Sequence, residues 1–286
     1  MNPVKLTDAQ GKFKDFLREK GHSTSTIVAY SKDIEQLVDF LTGLGRVNVG
    51  EITKEDLEAF LAKMVKEGYT PKSISRKINS TRTFYRFMKL NQMVVEDPSL
   101  LVAHPKYQLA PPRILTPTEY RALRDAARND PRMSAIIELL LQTGIRIGEL
   151  TALMLSDIQK ESLHVPSIEK HEERSVPLNK RAQEALNKYL EIRPKVTEVH
   201  VFITKSGKPF LIRNIRTSVE RYFRLAEIKN AKVNDLRHTF VAHHLKHGAS
   251  IVLLSKILGH KRISTTERYL EFVPDRAPEN QTLSEL

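Results

Sequence analysis

Cysteine is absent from this chain of 286 residues. That absence excludes a disulfide framework, a thiolate metal site and a cysteine nucleophile together. Long apolar runs are missing too, since no stretch approaches the roughly 18 residues that a membrane-spanning helix needs. The first ten residues, MNPVKLTDAQ, lack the apolar core of a signal peptide. We therefore expect a cytoplasmic protein without membrane attachment.

Negative charge is scarce relative to positive charge. Lysine and arginine total 46 and aspartate and glutamate total 34, which makes the formal net charge +12. An excess of this size is typical of a protein that binds nucleic acid. A soluble protein that is merely basic has the same composition, so charge alone does not decide between the two.

The first hundred residues follow helical patterns throughout. Apolar residues recur at helical spacing in STIVAYSKDIEQLVDFLTGLG. Thr53 and Asp56 have the spacing of a capping box, which predicts the start of another helix. A fourth helix is predicted to begin near Pro71. Residues 1–105 are therefore expected to form a helical domain.

The fourth predicted helix carries six cations and no acid between positions 71 and 89. A run of charge on a helix usually marks a solvated face. The complete lack of acidic residues here favours instead a helix that lies along a phosphate backbone. The candidate DNA-binding residues are Lys72, Arg76, Lys77, Arg82, Arg86 and Lys89.

A proline-containing stretch separates this domain from the rest of the chain, and residues 106–113 are predicted to be a linker. Thr116, Pro117 and Glu119 give clear signals for the start of the next helix. The predicted fold is mainly α with a small β patch, an α+β class. The second domain is assigned to residues 114–272. It is predicted to contain helices at 117–128, 131–143 and 146–154 and a strand patch at 163–178. Residues 273–286 are predicted to be a flexible tail with an optional short terminal helix.

The motif QTGIRIGEL contains the first candidate site residues. Gly144 is expected to end one helix, and Arg146 to stand at the start of the next. A guanidinium group beside the free N–H groups of a helix N-terminus is suited to binding phosphate. Glu149 follows three residues later, on the same face, and can orient Arg146. Taken alone, an ordinary surface Arg–Glu pair explains these residues better.

Residues 234–272 carry a more specific arrangement. Apolar stripes run along two predicted helices, and Arg237, His260 and Tyr269 fall at the ends or edges of those helices. The connection GHKRISTT at 259–266 is polar and basic and leads into Tyr269. Individually, Tyr269 also fits simple core packing, and His260 also fits a helix C-cap.

Together, these motifs resemble those of the tyrosine recombinase (phage integrase) family, in its Xer-type branch. TGIRIGEL resembles the first arginine box, DLRHTF the second arginine box and LGH the histidine box, and the late tyrosine resembles the nucleophile. The resemblance covers roughly residues 8 to 272. It implies a helical core-binding (SAM-like) domain that clamps double-stranded DNA together with a recombinase catalytic domain. It also implies four protomers on a pair of sites, and Leu283 and Leu286 are candidates for apolar contact with a neighbouring protomer.

The resemblance also implies individual roles. The catalytic residues that it implies are Tyr269, Arg146, Lys170, Arg237 and His260. The lysine of the family lies in a hairpin ahead of an arginine and Val-Pro-Leu, and IEKHEERSVPL offers Lys170 with a hairpin about one residue shorter than usual. One position departs from the family, because Asn234 stands where the second box usually begins with histidine or lysine. An amide can donate a hydrogen bond to a phosphate oxygen but cannot carry a proton.

Cleavage of a phosphodiester needs a nucleophile, an acid for the leaving oxygen and compensation for phosphoryl charge. Acidic residues at metal-ligand spacing are not found, so we expect no metal and no other cofactor, and fixed cations take that role. Arg146 and Arg237 are then expected to bind the non-bridging oxygens, with His260 as a further donor. Lys170 is expected to protonate the 5′ oxygen, and positive charge is expected to favour the Tyr269 phenolate.

Two alternatives remain at this point. A type IB topoisomerase uses a similar site to relax DNA, but the short chain and the Xer-like N-terminal domain argue against it. A recombinase-like DNA-binding protein with a weakened active site is supported by Asn234 and opposed by the other site residues.

Overall fold

The structure, a computed structural model, describes residues 3–107, 110–168 and 172–286. The chain divides into two compact units, Met1–Leu109 and Ala110–Leu286, and each has its own hydrophobic core. The described residues are mainly helical, with one antiparallel two-stranded sheet, which confirms the predicted fold class. No helix in these ranges is long and apolar enough to cross a membrane.

The first unit is built on α-helices that pack through their apolar faces. They are α1 (Leu6–Glu19), α2 (Thr24–Gly43), α3 (Lys54–Lys66) and α4 (Pro71–Leu90). The predicted capping box starts α3: the Asp56 N–H donates to Thr53 Oγ1 at 3.3 Å, and the Thr53 N–H donates to Asp56 Oδ2 at 3.0 Å. In the core, the rings of Phe13 and Phe84 meet edge to face with centroids 5.1 Å apart.

The inward face of α4 carries one of the predicted DNA-binding lysines. Lys77 is only 1% exposed, and its Nζ donates to Asp33 Oδ1 at 3.1 Å and also to Gln36 Oε1. The ring of Tyr69 lies 4.8 Å from the same ammonium group. The prediction that Lys77 contacts DNA is therefore wrong. Position 77 shares the buried face of α4 with Ile78, and the charge is neutralised inside the unit.

Replacing this lysine tests its structural role. Lys77→Met should lower the free energy of local opening by about 1.5–3 kcal/mol, because it removes hydrogen bonds between charged groups. Asp33 keeps Arg76 and Ser80 as partners, which limits the loss. Amide hydrogen exchange in α2 and α4 measures the change, and exposed Lys72→Met, which should stay within about 0.5 kcal/mol, is the matched control. Equal exchange in the two variants contradicts the buried role.

The second unit is arranged around a helix that is buried on all sides. Its elements are α5 (Pro117–Ala127), α6 (Pro131–Thr143), α7 (Ile147–Ala152), β1 (Ser162–Val165), β2 (Arg174–Pro177), α8 (Lys180–Ile192), α9 (Ile212–Leu225), α10 (Val233–Lys246), α11 (Ile251–Leu258) and α12 (Ser264–Glu267). Every residue of α6 from Ala135 to Thr143 is buried, and this helix contacts α5, α8 and α10. The predicted capping box of Thr116 and Glu119 starts α5.

The predicted strand patch is an antiparallel pair. Leu163 pairs with Val176, and Val165 pairs with Arg174. Leu163, Val165 and Val176 are fully buried in the core of this unit. The last residue of β1 and the first residues of β2 therefore lie beside the core of this unit.

The C-terminal tail contacts its own unit, and the short helix predicted as optional at its end does not form. Asn280 forms a parallel bridge with Ala249, and Leu286 is 6% exposed. The Gln142 side chain holds the last residue: Nε2 donates to Leu286 O at 2.9 Å, and Oε1 accepts from the Leu286 N–H at 3.2 Å. Leu283 packs against the same core. Leu283 and Leu286 thus make their apolar contacts within the chain itself, and the tail, which the structure describes throughout, contains no helix.

Candidate active site

A left-handed glycine brings the first arginine to the start of α7. Gly144 ends α6 with φ of 62°, and a Cβ at this position would lie 2.5 Å from the Phe240 ring. Arg146 is the N-cap of α7, and its backbone N–H donates to Glu149 Oε2 at 2.8 Å. Its guanidinium donates to Glu149 Oε1 at 2.8 Å as well. Arg146 and Glu149 thus form a closed pair at the helix start.

Glu149 is shared with an arginine from the sheet. Arg174, the first residue of β2, donates to both Glu149 oxygens at 3.0 and 2.8 Å, and its Nε donates to Ile257 O at 2.6 Å. Burial raises the pKa of Glu149, but hydrogen bonds from Arg174 and from the Arg146 backbone outweigh that effect and lower it to about 2. Glu149 is therefore ionised at neutral pH and holds two guanidinium groups in place.

The second arginine is almost enclosed. Arg237, on α10, is 9% exposed and donates to Gly144 O, to Leu258 O at 2.9 Å and to His260 Nε2 at 2.9 Å. Burial and the nearby Arg146 lower the pKa of Arg237 to about 9. The group therefore remains protonated at neutral pH.

The three arginines meet at the C-terminal end of α11. The carbonyl oxygens of Ile257, Leu258 and Gly259 each accept a hydrogen bond from a guanidinium group. Carbonyls at a helix end have no intrahelical partner and carry partial negative charge, which attracts cations. Glu149 pairs with two of these guanidinium groups, those of Arg146 and Arg174. Three cations with a single paired carboxylate between them leave positive charge that is available to an anion.

His260 faces this cluster as an acceptor. Burial, Arg237 and other cations lower its pKa to about 3, so the imidazole is neutral. A guanidinium group can only donate, so Nε2 must accept from Arg237. The proton is therefore assigned to Nδ1, which lies 2.8 Å from Thr266 Oγ1. The expectation of His260 as a donor thus does not apply to this state of the protein.

Tyr269 lies on a 3-10 turn, Arg268–Phe272, that follows α12. Its ring belongs to the hydrophobic core, and its hydroxyl lies 2.6 Å from Nδ1 of His238. Burial raises the pKa of Tyr269, and the opposing effect of Arg237 is smaller. The expectation that positive charge favours the phenolate is therefore wrong for the free protein, because desolvation dominates.

One predicted site residue, Asn234, stands apart from this cluster. Asn234 lies on the first turn of α10 and is exposed, and its side chain makes no hydrogen bond to the residues that the structure describes. Lys170 lies outside the described residues. Its position in sequence is in the segment that joins β1 to β2, and the Arg174 that ends this segment contacts Glu149.

The remaining predicted DNA-binding residues of α4 fall into two groups. Lys72, Arg86 and Lys89 are exposed. Arg76 is partly exposed and pairs with Asp33. Arg82 donates to the carbonyls of Ser99 and Val102 and contacts the His104 ring.

Three residues of the cluster were missed from the sequence. Arg174 had a signal, since it precedes Val-Pro-Leu in the hairpin motif. His238 had a signal too, since it is a titratable residue directly after Arg237 in DLRHTF. Thr266 had no signal, because only the folded turn brings its hydroxyl to His260. Within the described ranges, no group of three or more histidine, aspartate or glutamate side chains is arranged to hold a metal ion.

Comparison with known proteins identifies the chain. Residues 113–274 match the phage integrase family, and residues 11–92 match the phage integrase N-terminal SAM-like domain. The chain is 32% identical to tyrosine recombinase XerC of Bacillus pumilus, over 92% of this chain and 91% of that protein. It is 33% identical to tyrosine recombinase XerD of Staphylococcus aureus, over 88% of this chain and 89% of that protein.

A solved structure gives the same fold. The crystal structure of a lambda integrase tetramer bound to a Holliday junction aligns with a TM-score of 0.76 and 20% identity, over 92% of this chain and 79% of that chain. At this identity the likeness concerns the fold alone. The family match and the two curated relatives carry the assignment: the chain belongs to the phage integrase family and is an Xer-like, site-specific tyrosine recombinase.

Proposed function

We propose that this recombinase cuts and rejoins double-stranded DNA through a covalent 3′-phosphotyrosine formed by Tyr269, without a metal ion or ATP. One observation carries the proposal. Arg146, Arg174 and Arg237 converge on the carbonyl groups that end α11, and the Tyr269 hydroxyl lies 2.6 Å from Nδ1 of His238, the residue that follows Arg237 on α10. A nucleophile beside surplus fixed cations suits attack on a phosphodiester.

The arginines bind the scissile phosphate in this scheme. The Arg146 side chain is 29% exposed, so it meets the phosphate first. Arg237, which is only 9% exposed, provides a second guanidinium group from deeper in the unit. Both groups exchange hydrogen bonds with backbone carbonyls for bonds with the non-bridging oxygens. Arg174 keeps its bonds to Glu149 and positions Arg146. An ionised acceptor makes the new hydrogen bonds stronger than those to neutral carbonyls.

The other roles follow from the proton balance. When Arg237 turns to the phosphate, it releases Nε2 of His260, and the phosphate charge favours protonation there, so that His260 becomes a donor. Lys170 protonates the departing 5′ oxygen. The phosphotyrosine retains the energy of the broken bond, so attack by another 5′-hydroxyl rejoins the strand. Asn234, exposed at the start of α10, contributes at most one hydrogen bond from its uncharged amide to a phosphate oxygen.

DNA and further copies of the chain are the proposed partners. The net charge of +12 and the exposed Lys72, Arg86 and Lys89 supply contacts to the phosphate backbone. The lambda integrase neighbour is a tetramer on a Holliday junction, which supports a tetramer on paired sites here. The curated relatives are bacterial recombinases, and a cytoplasmic location fits work on bacterial DNA.

The alternative of a weakened DNA-binding protein is not favoured, because both relatives are recombinases and Asn234 is its sole support. A nicked suicide duplex, containing a site recovered by footprinting, separates the two. The recombinase should form a denaturant-resistant adduct that retains a label placed on the 5′ side of the cut and loses a label on the 3′ side. The same label pattern must vanish after protease digestion. Specific DNA binding without any adduct would refute the proposed chemistry.

Metal independence gives a further prediction. Cleavage should persist in excess EDTA, because fixed guanidinium groups compensate the phosphoryl charge. Binding should weaken steeply with salt, since phosphate contacts release counterions, by about 10³-fold or more between 50 and 200 mM for 6–10 contacts. Single-turnover rates at saturating protein separate chemistry from binding. A chemical step that stops in EDTA and returns with added magnesium contradicts the mechanism.

A further inference from the structure

The nucleophile makes a hydrogen bond that the scheme above leaves unused. The hydroxyl of Tyr269 lies 2.6 Å from Nδ1 of His238, and the two ring centroids are 5.8 Å apart at 42°. His238 stands on the second turn of α10, directly after Arg237. A candidate general base must lie within about 2.6–3.2 Å of the proton that it removes. His238 meets this condition.

The protonation states of the pair suit a proton transfer. Burial raises the pKa of Tyr269, so the hydroxyl carries its proton at neutral pH and must lose it during attack. Burial lowers the pKa of His238, and Arg237 lowers it further while Asp235 opposes both. The imidazole is thus neutral and has one nitrogen free to accept. The charged or titratable groups that act on it are Asp235 and Arg237 of α10 and Tyr269 of the 3-10 turn.

Other groups are less suited to take this proton. Both nitrogens of His260 are engaged, Nε2 by Arg237 and Nδ1 by Thr266. Asn234 lies four residues before His238, one turn earlier on the same side of α10, and its amide cannot take up a proton. Of these two residues on the same side of α10, only His238 can therefore take up the tyrosine proton.

We infer that His238 is the general base of the cleavage step, an inference that rests on the proposed function. As Tyr269 Oη bonds to phosphorus, its proton passes to Nδ1 of His238. The bond between phosphorus and the 5′ oxygen breaks, and that oxygen leaves with a proton from Lys170. In the rejoining step the 5′-hydroxyl attacks phosphorus and gives its proton back to Lys170, the phosphotyrosine bond breaks, and His238 returns its proton to Tyr269. Atoms and charges balance without a further reactant.

The decisive variant is His238→Asn. The asparagine oxygen can accept the tyrosine hydrogen bond where Nδ1 did, so it preserves positioning but cannot take up the proton. General bases contribute about 10²–10⁴-fold, so His238→Asn should cleave the suicide duplex at least about 10²-fold more slowly at pH 7. Its rate should rise about tenfold per pH unit as the phenol itself ionises, and the gap to the parent should narrow towards pH 10. The parent should show a shallower rise that levels off.

Two comparisons complete the experiment. Added imidazole should partly restore His238→Ala, because a diffusible base fills the space of the lost ring. Exposed His247→Asn, at the far end of α10, should keep the parental rate within about twofold. The inference is overturned if His238→Asn cleaves within about threefold of the parent with a parallel pH profile. It is also overturned if both variants are slow at every pH and imidazole has no effect, because His238 is then only structural.

The behaviour of the parent protein distinguishes a failure of the proposed function from a failure of the His238 inference. A parent that forms no adduct at all overturns the proposed function, and this inference with it. A parent that cleaves normally, beside an unaffected His238→Asn, overturns the inference alone.

Discussion

Tyr269→Phe should abolish covalent capture on the suicide duplex and keep DNA affinity within a few-fold. The substitution removes the oxygen that bonds to phosphorus, and no other group replaces it. The ring stays, and it is the ring that packs in the hydrophobic core. Affinity depends mainly on contacts with phosphates, which this change leaves in place.

The fold should tolerate this change. The Tyr269 hydroxyl makes a neutral hydrogen bond with His238, so its loss costs about 0.5–1.5 kcal/mol of stability. A melting curve close to that of the parent, together with gel-shift affinity at fixed salt, shows that the loss of capture is chemical. Denaturing gels then measure the adduct itself.

Tyr222→Phe is the matched control. Tyr222, on α9, is also buried. Its hydroxyl donates to Oδ2 of Asp130, the N-cap residue of α6, at 3.0 Å. This variant should form the adduct at the parental rate. An adduct that survives Tyr269→Phe and disappears in Tyr222→Phe would transfer the nucleophile role to Tyr222.

Local features of the fold could be predicted because neighbouring residues determine them. The capping boxes at Thr53 and Thr116 and the left-handed Gly144 require only residues within a few positions, and the structure has all three. The motif order pointed to the family for a related reason. In each motif, the functional residue and the residues that flank it are adjacent in the sequence, so the motif can be recognised without the fold.

Burial of charge could not be predicted in the same way. Lys77 looks like its exposed neighbour Lys72 in sequence, and its partner Asp33 lies on another helix. The inward turn of α4 at position 77 depends on how α2 and α4 pack. The tail differs for the same reason, because Gln142 of α6 supplies the hydrogen bonds that hold Leu286.

The site shows the same division between local and distant causes. The pairing of Arg146 with Glu149 spans three residues and was expected. The second pair of hydrogen bonds on Glu149 comes from Arg174, and its consequence for the pKa of Glu149 requires the folded contact. Likewise, the sequence indicates a positive surrounding for Tyr269, but only burial in the fold explains why its pKa rises.

Arg237→Ala should lower the single-turnover cleavage rate on the order of 10³-fold, and Asn234→Ala should lower it only about tenfold. Loss of a guanidinium group removes charge stabilisation that strengthens as the transition state forms, as with arginine fingers. Loss of the amide removes one hydrogen bond from an uncharged donor. The bound substrate accepts this bond as well, so only about 0.5–1.5 kcal/mol of transition-state stabilisation is lost, which corresponds to roughly tenfold in rate.

Folding must be controlled in this comparison, because Arg237 is buried and bonds to Gly144 O, Leu258 O and His260. Arg237→Lys keeps a positive charge but lacks the planar fork that binds two oxygens. It should fold like the parent and still cleave far more slowly than Asn234→Ala. Melting curves of each variant separate a loss of structure from a loss of chemistry.

Asn234→His completes the set, and it should be tolerated or cleave faster than the parent. Asn234 is exposed on the first turn of α10, so an imidazole has space there and adds a group that can carry a proton. If Asn234→Ala is as inactive as Arg237→Ala, the amide does more than bind one phosphate oxygen. If Asn234→His is inactive while its melting curve is unchanged, the site depends on asparagine itself, and the proton-transfer role then rests on other residues.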